Sequence, residues 1–438
     1  MKKKPVPAKN NAGKTRPDPG GNTLPSPAPE KPSWLRKNWL ALVILAVSLT
    51  VFVLLLRQAN NGRIFRSNRM ESEFITTEQA RVVNISDEKL ADKHRSPDAE
   101  EAITGYQTFL LELLTGKHAG EKHEIKKSYV GIYTGPRVQN GDKITVYQEL
   151  DEQTGEIKEL RLYQYDRSSG IFIILAIFLA VVLLVGGRTG AKSLLGLGFT
   201  VVALIWIFCP MWMKGADPIP LAFWLCVLVS VMSFVILGGT GKKVLCAVLG
   251  TVAGMGLAAL FGIIAQKICR INGYSVYESN TAVADLVNLQ DQDFPLHIAG
   301  LITAGIIISS LGAVMDVAMS LASSISELKA VNPELKVGGL WRSAMNIGRD
   351  MVGTMTNTLI LAFVGSSLIM VIRLWSQGPS RRLLLSSQYL ATEMIPAVAS
   401  SIGVILAVPL TAVIGALLFG AAPKAERTPA KSPAKNKK

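Results

Sequence analysis

Apolar runs long enough to cross a lipid bilayer recur through most of this chain, and no other feature limits its fold as strongly. One extends from about Trp39 to Leu56. Seven more follow Gly170, at about 170–187, 193–213, 218–237, 244–267, 296–324, 351–375 and 393–420. A helix rising 1.5 Å per residue needs roughly 20 such residues to cross hydrocarbon about 30 Å thick. Lipid offers the backbone no hydrogen bonds, so runs of this length cross as helices that satisfy their own N–H and C=O groups. The fold class expected is an α-helical polytopic membrane protein with about eight transmembrane helices and a small β-rich extracytoplasmic domain.

Charge orders these runs across the membrane. The formal net charge is +14, but the region up to Lys37 holds nine Lys/Arg against Asp18 and Glu30, and the stretch after Gly420 holds six against Glu426. The excess therefore sits in two tails flanking membrane spans, which excludes a basic nucleic-acid face and places both termini in the cytoplasm of a bacterial plasma membrane by the positive-inside rule. Eight spans keep both tails on one side. Arg188, Lys192, Lys242, Lys243 and the stretch from Lys329 to Arg349 then fall inside, and the loop holding Glu278, Asp285, Asp291 and Asp293 falls outside; Lys214, Arg381 and Arg382 are exceptions.

The organisation expected is a disordered basic cytoplasmic tail at 1–33, a transmembrane anchor at 34–56, an extracytoplasmic β-rich domain at 57–169, a seven-helix membrane domain at 170–420 and a basic cytoplasmic tail at 421–438. The anchor is expected to stay uncleaved, because no small-x-small site precedes Arg57 and the run exceeds a signal-peptide core of about 7 to 15 residues. Between Arg57 and Ser169 stand seventeen Lys/Arg and nineteen Asp/Glu, a composition that folds in water. RVVNI at 81–85, TFLLELLTG at 108–116 and KITVYQEL at 143–150 carry strand signals. Gly116, Gly120, Gly135 and Asn140-Gly141-Asp142 punctuate them as turns, and 95–102 reads as a loop. A small barrel or sandwich follows.

Two turns resemble each other. Gly186-Gly187-Arg188-Thr189-Gly190 and Gly238-Gly239-Thr240-Gly241 each link two runs, which is consistent with a repeat of helix pairs as well as with ordinary membrane hairpins. Gly186 to Ser193 is not a phosphate-binding loop: Ala191 stands where that loop needs glycine, and both flanks are apolar spans. Cys209, Cys226, Cys246 and Cys269 are single, with neither zinc nor redox spacing, and read as packing residues. Gly250-x-x-x-Gly254, with Gly256 and Gly262, permits close helix approach within the chain or between subunits.

The polar residues of the later spans carry the functional signal. Asp316 lies inside an apolar run, where an ionised carboxylate costs on the order of 3 kcal/mol even on the lenient insertion scale, so it is expected to face the bundle interior. Asp316, Ser320, Ser323 and Glu327 share one helical face descending toward the cytoplasm. Asn346, Asp350, Thr354 and Asn357 form a second stripe on the next span, with Arg349 at its cytoplasmic entrance. Two such stripes can line one hydrated pathway or hydrogen-bond helices together. Glu393 and Pro396 near the start of the last span read as helix-start residues, with Glu393 as a gate in the alternative.

The segments GAVMDVAMSLASSISEL, NIGRDMVGTMTNTLILAFVG and TEMIPAVASSIGVILAVPLTA closely resemble the bacterial YibE/F-like multitransmembrane proteins, over the whole chain after the tail. The resemblance implies an N-terminal anchor, an external β domain and a seven-helix membrane domain, of a kind described as membrane proteins or permeases. The motif positions here are Asp316, Ser320, Glu327, Arg349, Asp350, Thr354, Asn357 and Glu393. The function expected is a permease or channel for a small solute or ion, with a polar pathway centred on Asp316. The alternative is a non-transporting scaffold whose external β domain binds a cell-envelope protein. An enzyme is not expected: Gly-x-Ser-x-Gly and HExxH are absent, and His94, His118, His123 and His297 are the only histidines. No cofactor, metal or nucleic acid is expected; the bilayer is the sure partner, and the oligomeric state is left open.

Overall fold

Apolar side chains without a soluble core to enter give this chain long helices whose outer faces remain exposed. The computed structural model describes residues 34–61, 75–92, 103–130, 137–151, 154–271, 297–298 and 300–420. The tails, the 95–102 loop, Gly135 and the acidic 278–293 loop lie outside them. Helix α1 covers Trp34–Asn60, five strands follow, and α2 covers Ser168–Ala203. A π turn at Leu204–Phe208 joins α2 to α3 at Cys209–Met213. Then come α4 (Pro218–Gly238), α5 (Lys242–Ile268), α6 (Leu301–Val331), α7 (Val337–Ser366), α8 (Leu368–Ser376), α9 (Arg381–Leu385) and α10 (Gln388–Gly420).

Among the described residues six helical stretches are long and apolar enough to cross a membrane, and α7 with α8, bent by 57° at Ser367, makes a seventh. The runs expected at 170–187 and 193–213 are joined in one stretch, Ser168–Met213, of 46 residues. At roughly 69 Å of helix it exceeds twice the hydrocarbon thickness. It is not straight. Gly187 has φ 51° and ψ −132°, and an ideal Cβ on Gly190 would fall 2.5 Å from the Val182 carbonyl oxygen. Eight residues of unbroken helix would hold those positions roughly 12 Å apart, so the helix is sharply broken at Gly187. Gly239, in the matching turn, has φ 72° and ψ −142°.

Both second glycines therefore occupy a backbone region closed to side-chain-bearing residues. No atom lies within 4 Å of a Cβ built on either, so Gly187→Ala and Gly239→Ala test backbone strain alone. Each substitution is expected to cost about 1–3 kcal/mol, read as a lower melting temperature in detergent. Gly241→Ala is expected to be neutral, because its φ of 162° is extended backbone.

The bundle closes on small residues. An ideal Cβ on Gly254 of α5 would fall 2.7 Å from Val314 Cγ1 of α6 and 2.8 Å from Ala407 Cβ of α10. Gly250 meets Thr411, Gly262 meets Ile306 and Gly403 meets Ala258 at similarly close range. The glycine face of α5 is thus spent on contacts inside the chain. Cys226 and Cys246 are buried, whereas Cys209 and Cys269 are exposed, so packing accounts for the first pair alone.

The Lys214 exception to the charge pattern has a local cause. Its ammonium donates to the carbonyls of Gln58 at 2.8 Å and Asn61 at 2.7 Å, satisfying acceptors at the C-terminal end of α1, where a cation also favours the helix dipole.

The soluble domain is one antiparallel sheet of β1 (Ile75–Asp92), β2 (Ile103–Leu113), β3 (Lys122–Val130), β4 (Lys143–Leu150) and β5 (Ile157–Tyr165), in the order β3-β2-β1-β4-β5. It is not a two-sheet sandwich. The sheet curls over Val82, Phe109, Leu111, Ile144 and Val146 and brings its outer strands β3 and β5 near each other. Buried Gln107 is satisfied from both ends: Tyr129 donates to it at 2.6 Å, and it donates to Glu88 at 3.0 Å. From β5 the chain enters α2 through Asp166 and Arg167 alone. Asp166 N–H still bonds Lys143 O at 3.0 Å, and its carboxylate accepts the Ser168 N–H at 2.9 Å. Bonds from Ser168 hold the Asp166 carboxyl below the usual carboxylate range.

Candidate functional site

Depth within the bundle can be read from contacts. Helix α5 is bounded by Lys242 and Lys243 at one end and Lys267 at the other, with Gly254 midway between. Gly254 meets Val314 and Ala407, and Gly348 of α7 meets Val408. Asp316 is two residues from Val314, and Arg349 and Asp350 follow Gly348 directly. The three charged side chains therefore share one level near the middle of the helices. Helix α7 begins at Val337, so Arg349 lies roughly 18 Å along it.

The direction of the stripes is corrected. Val314, Val317, Leu321 and Ile325 of α6 are buried against α7 and α10. Asp316 lies roughly 200° around the helix from Val314, on the opposite side. It is exposed, as are Ser320 and Glu327, while Ser323 is half-buried and donates to Met319 O at 2.8 Å. On α7, Leu340, Ala344 and Gly348 are buried, and Asn346, Arg349, Asp350, Thr354 and Asn357 are exposed. The apolar and small residues occupy the interior because they fill it without unpaired polar groups, and most of each stripe is left on the exposed side of its own helix.

Thr354 donates to the Asp350 carbonyl of its own helix at 3.3 Å, and among the described residues no ion pair includes Asp316, Glu327, Arg349 or Asp350. The row on α6 is longer than the sequence suggested. Gly305 and Gly312 continue it, with nothing within 4 Å of a Cβ built on either, as does Gly353 on α7. Helical spacing from Asp316 could have added them.

Glu393 belongs elsewhere. Helix α10 begins at Gln388, so Glu393 is past the first turn and Pro396 is an interior proline, like Pro409. The Ser367 hydroxyl donates a short hydrogen bond to the Glu393 carboxylate, tying α10 to the bend between α7 and α8. That bond replaces the helix-start role expected for it.

A cavity of about 640 Å³ lies between α1 and α4, lined by residues such as Val51, Leu55, Trp224 and Leu228. Its one acid, Asp217, accepts the Ile219 N–H at 3.1 Å as the N-cap of α4. It is an apolar cleft away from the charged layer. Among the described residues no group of three His, Cys, Asp or Glu could hold a metal ion.

The YibE/F-like protein family matches residues 174–421, more than half of the chain. The chain belongs to the YibE/F-like family. The match starts within α2 and closes just past α10, so it takes in the whole charged layer and leaves out α1 and the β domain; the resemblance is narrower than the sequence segments implied. No curated protein and no solved structure matches the chain. With its apolar helices, this YibE/F-like chain is a multi-pass membrane protein.

Proposed function

We propose that this YibE/F-like protein is a permease or channel for a small cation or proton, with the outer polar face of α6 and α7 as its pathway. The observation that carries the reading is the level that Asp316, Arg349 and Asp350 share, near the middle of the apolar helix α6. Ionisable groups at that depth are costly and sit where ions or protons pass. Two carboxylates and one guanidinium at that level carry a net negative charge, which favours cations, and the Ser, Thr and Asn oxygens above and below it can replace water of hydration. Purified protein in proteoliposomes is expected to carry proton or monovalent-cation flux above protein-free vesicles; vesicles that stay tight to both would overturn the reading.

The orientation belongs to the same proposal. Counting Ser168–Met213 as two crossings, divided at the break at Gly187, and α7 with α8 as one gives eight, with both basic tails inside and the β domain outside. A reporter active only outside the cytoplasm is expected to work when fused after Lys158 and to be silent after Lys424. The opposite pattern reverses the orientation. A second reading, a scaffold whose β domain receives an envelope protein, is favoured by a cleft of about 210 Å³ near the β3 and β5 edges, lined by Lys127, Tyr165 and Arg167. Unchanged flux after removal of residues 75–165 would be consistent with that separate role.

A further inference from the structure

The charged layer is open on the side facing away from the bundle. Charged groups at such depth pair with one another or line a hydrated cavity, and the described residues of one chain supply a single wall. We infer that a second copy of this chain covers the α6–α7 face, related by a two-fold axis along the membrane normal, so that the pathway runs between two subunits. The inference rests on the reading of that face as a pathway and adds the wall it lacks.

Two observations select a second copy over another occupant. A two-fold axis along the membrane normal keeps every residue at its own depth. Because Asp316, Arg349 and Asp350 share one level, the guanidinium of each copy comes opposite a carboxylate of the other with no shift in register, and one carboxylate per copy remains for the pathway. The second observation is steric. The glycine face of α5 is consumed inside the chain, whereas Gly305, Gly312 and Gly353 have nothing within 4 Å of an added Cβ. These glycines leave the outer face low enough for two backbones to approach.

The test is cross-linking in native membranes. In a Cys209→Ser, Cys269→Ser background, Ser320→Cys and Thr354→Cys are each expected to give an oxidative dimer at least tenfold above Leu249→Cys, an exposed apolar position on α5. Gly312→Leu adds bulk to the open face, where nothing lies within 4 Å of an added Cβ. It is expected to convert the dimer to a single chain by light scattering while leaving the melting temperature of the remaining protein unchanged. Absence of adducts at both cysteines, adducts to a protein of different mass, or a single-chain mass for the unsubstituted protein would overturn the inference. Those readouts need no transport. Dimers without flux overturn the pathway and leave the interface, and flux from single chains overturns the interface alone.

Discussion

Asp316→Asn is expected to abolish flux, by tenfold or more, in protein that inserts and accumulates normally. The substitution keeps the shape of the side chain and much of its hydrogen-bonding capacity but removes the titratable charge. A cation site loses its countercharge and a proton site loses its proton, so either mechanism fails. A residue that only bridges helices would tolerate the change, because an amide hydrogen-bonds across a bundle without charge. The side chain is exposed on α6, so no buried contact is broken and folding should not confound the result. Ser230→Ala is a suitable control, since that hydroxyl donates to the Cys226 carbonyl of its own helix at 2.7 Å, away from the polar face. The measurement is initial flux in proteoliposomes at matched protein content. Wild-type flux from Asp316→Asn would remove Asp316 from the pathway.

Gly254→Leu is expected to have the largest effect on folding, reducing the monodisperse fraction recovered in mild detergent by about tenfold. Three neighbours crowd that position: Val314 Cγ1 at 2.7 Å, Ala407 Cβ at 2.8 Å and the Gly403 carbonyl oxygen at 3.3 Å from an added Cβ. The valine can rotate away, but a Cβ and a backbone oxygen move only if α5 and α10 separate. Overpacking of this kind costs about 1–3 kcal/mol for a methylene or two, and leucine adds more than that. Gly256 provides the contrast, because nothing lies within 4 Å of its added Cβ; Gly256→Ala is expected to be neutral. Equal recovery of the two variants would show that α5 and α10 do not pack through Gly254.

The helices were legible in the sequence because lipid imposes length and apolarity on each segment separately. Strand β4 was legible for a similar local reason, since its inward residues Ile144, Val146 and Gln148 alternate strictly with exposed or half-buried ones. Strand β3 was not. Its inward row is His123, Ile125, Lys127 and Tyr129, and two polar members hide the alternation. The depth of Arg349 and Asp350 was hidden too. A span read from hydropathy starts after the last charge, at 351, but a helix does not stop for charges, and α7 runs unbroken from Val337. Which way the stripes face was beyond the sequence, because both sides of α6 carry small residues and only the packing of α5 and α10 decides which side is covered.

The junction between β5 and α2 has a mechanical consequence. Two residues, held by the Asp166–Lys143 backbone bond and the Asp166–Ser168 cap, leave no slack between sheet and helix. Residues Ile171 to Phe178 of that helix are exposed, so no neighbouring side chains lock its first half in place. Sheet and half-helix together form a stiff lever arm whose fulcrum is Gly187. A force on the sheet reaches that glycine as torque, and the next rigid body it meets is the second half of α2, seated through Gly196 against Ser233 of α4.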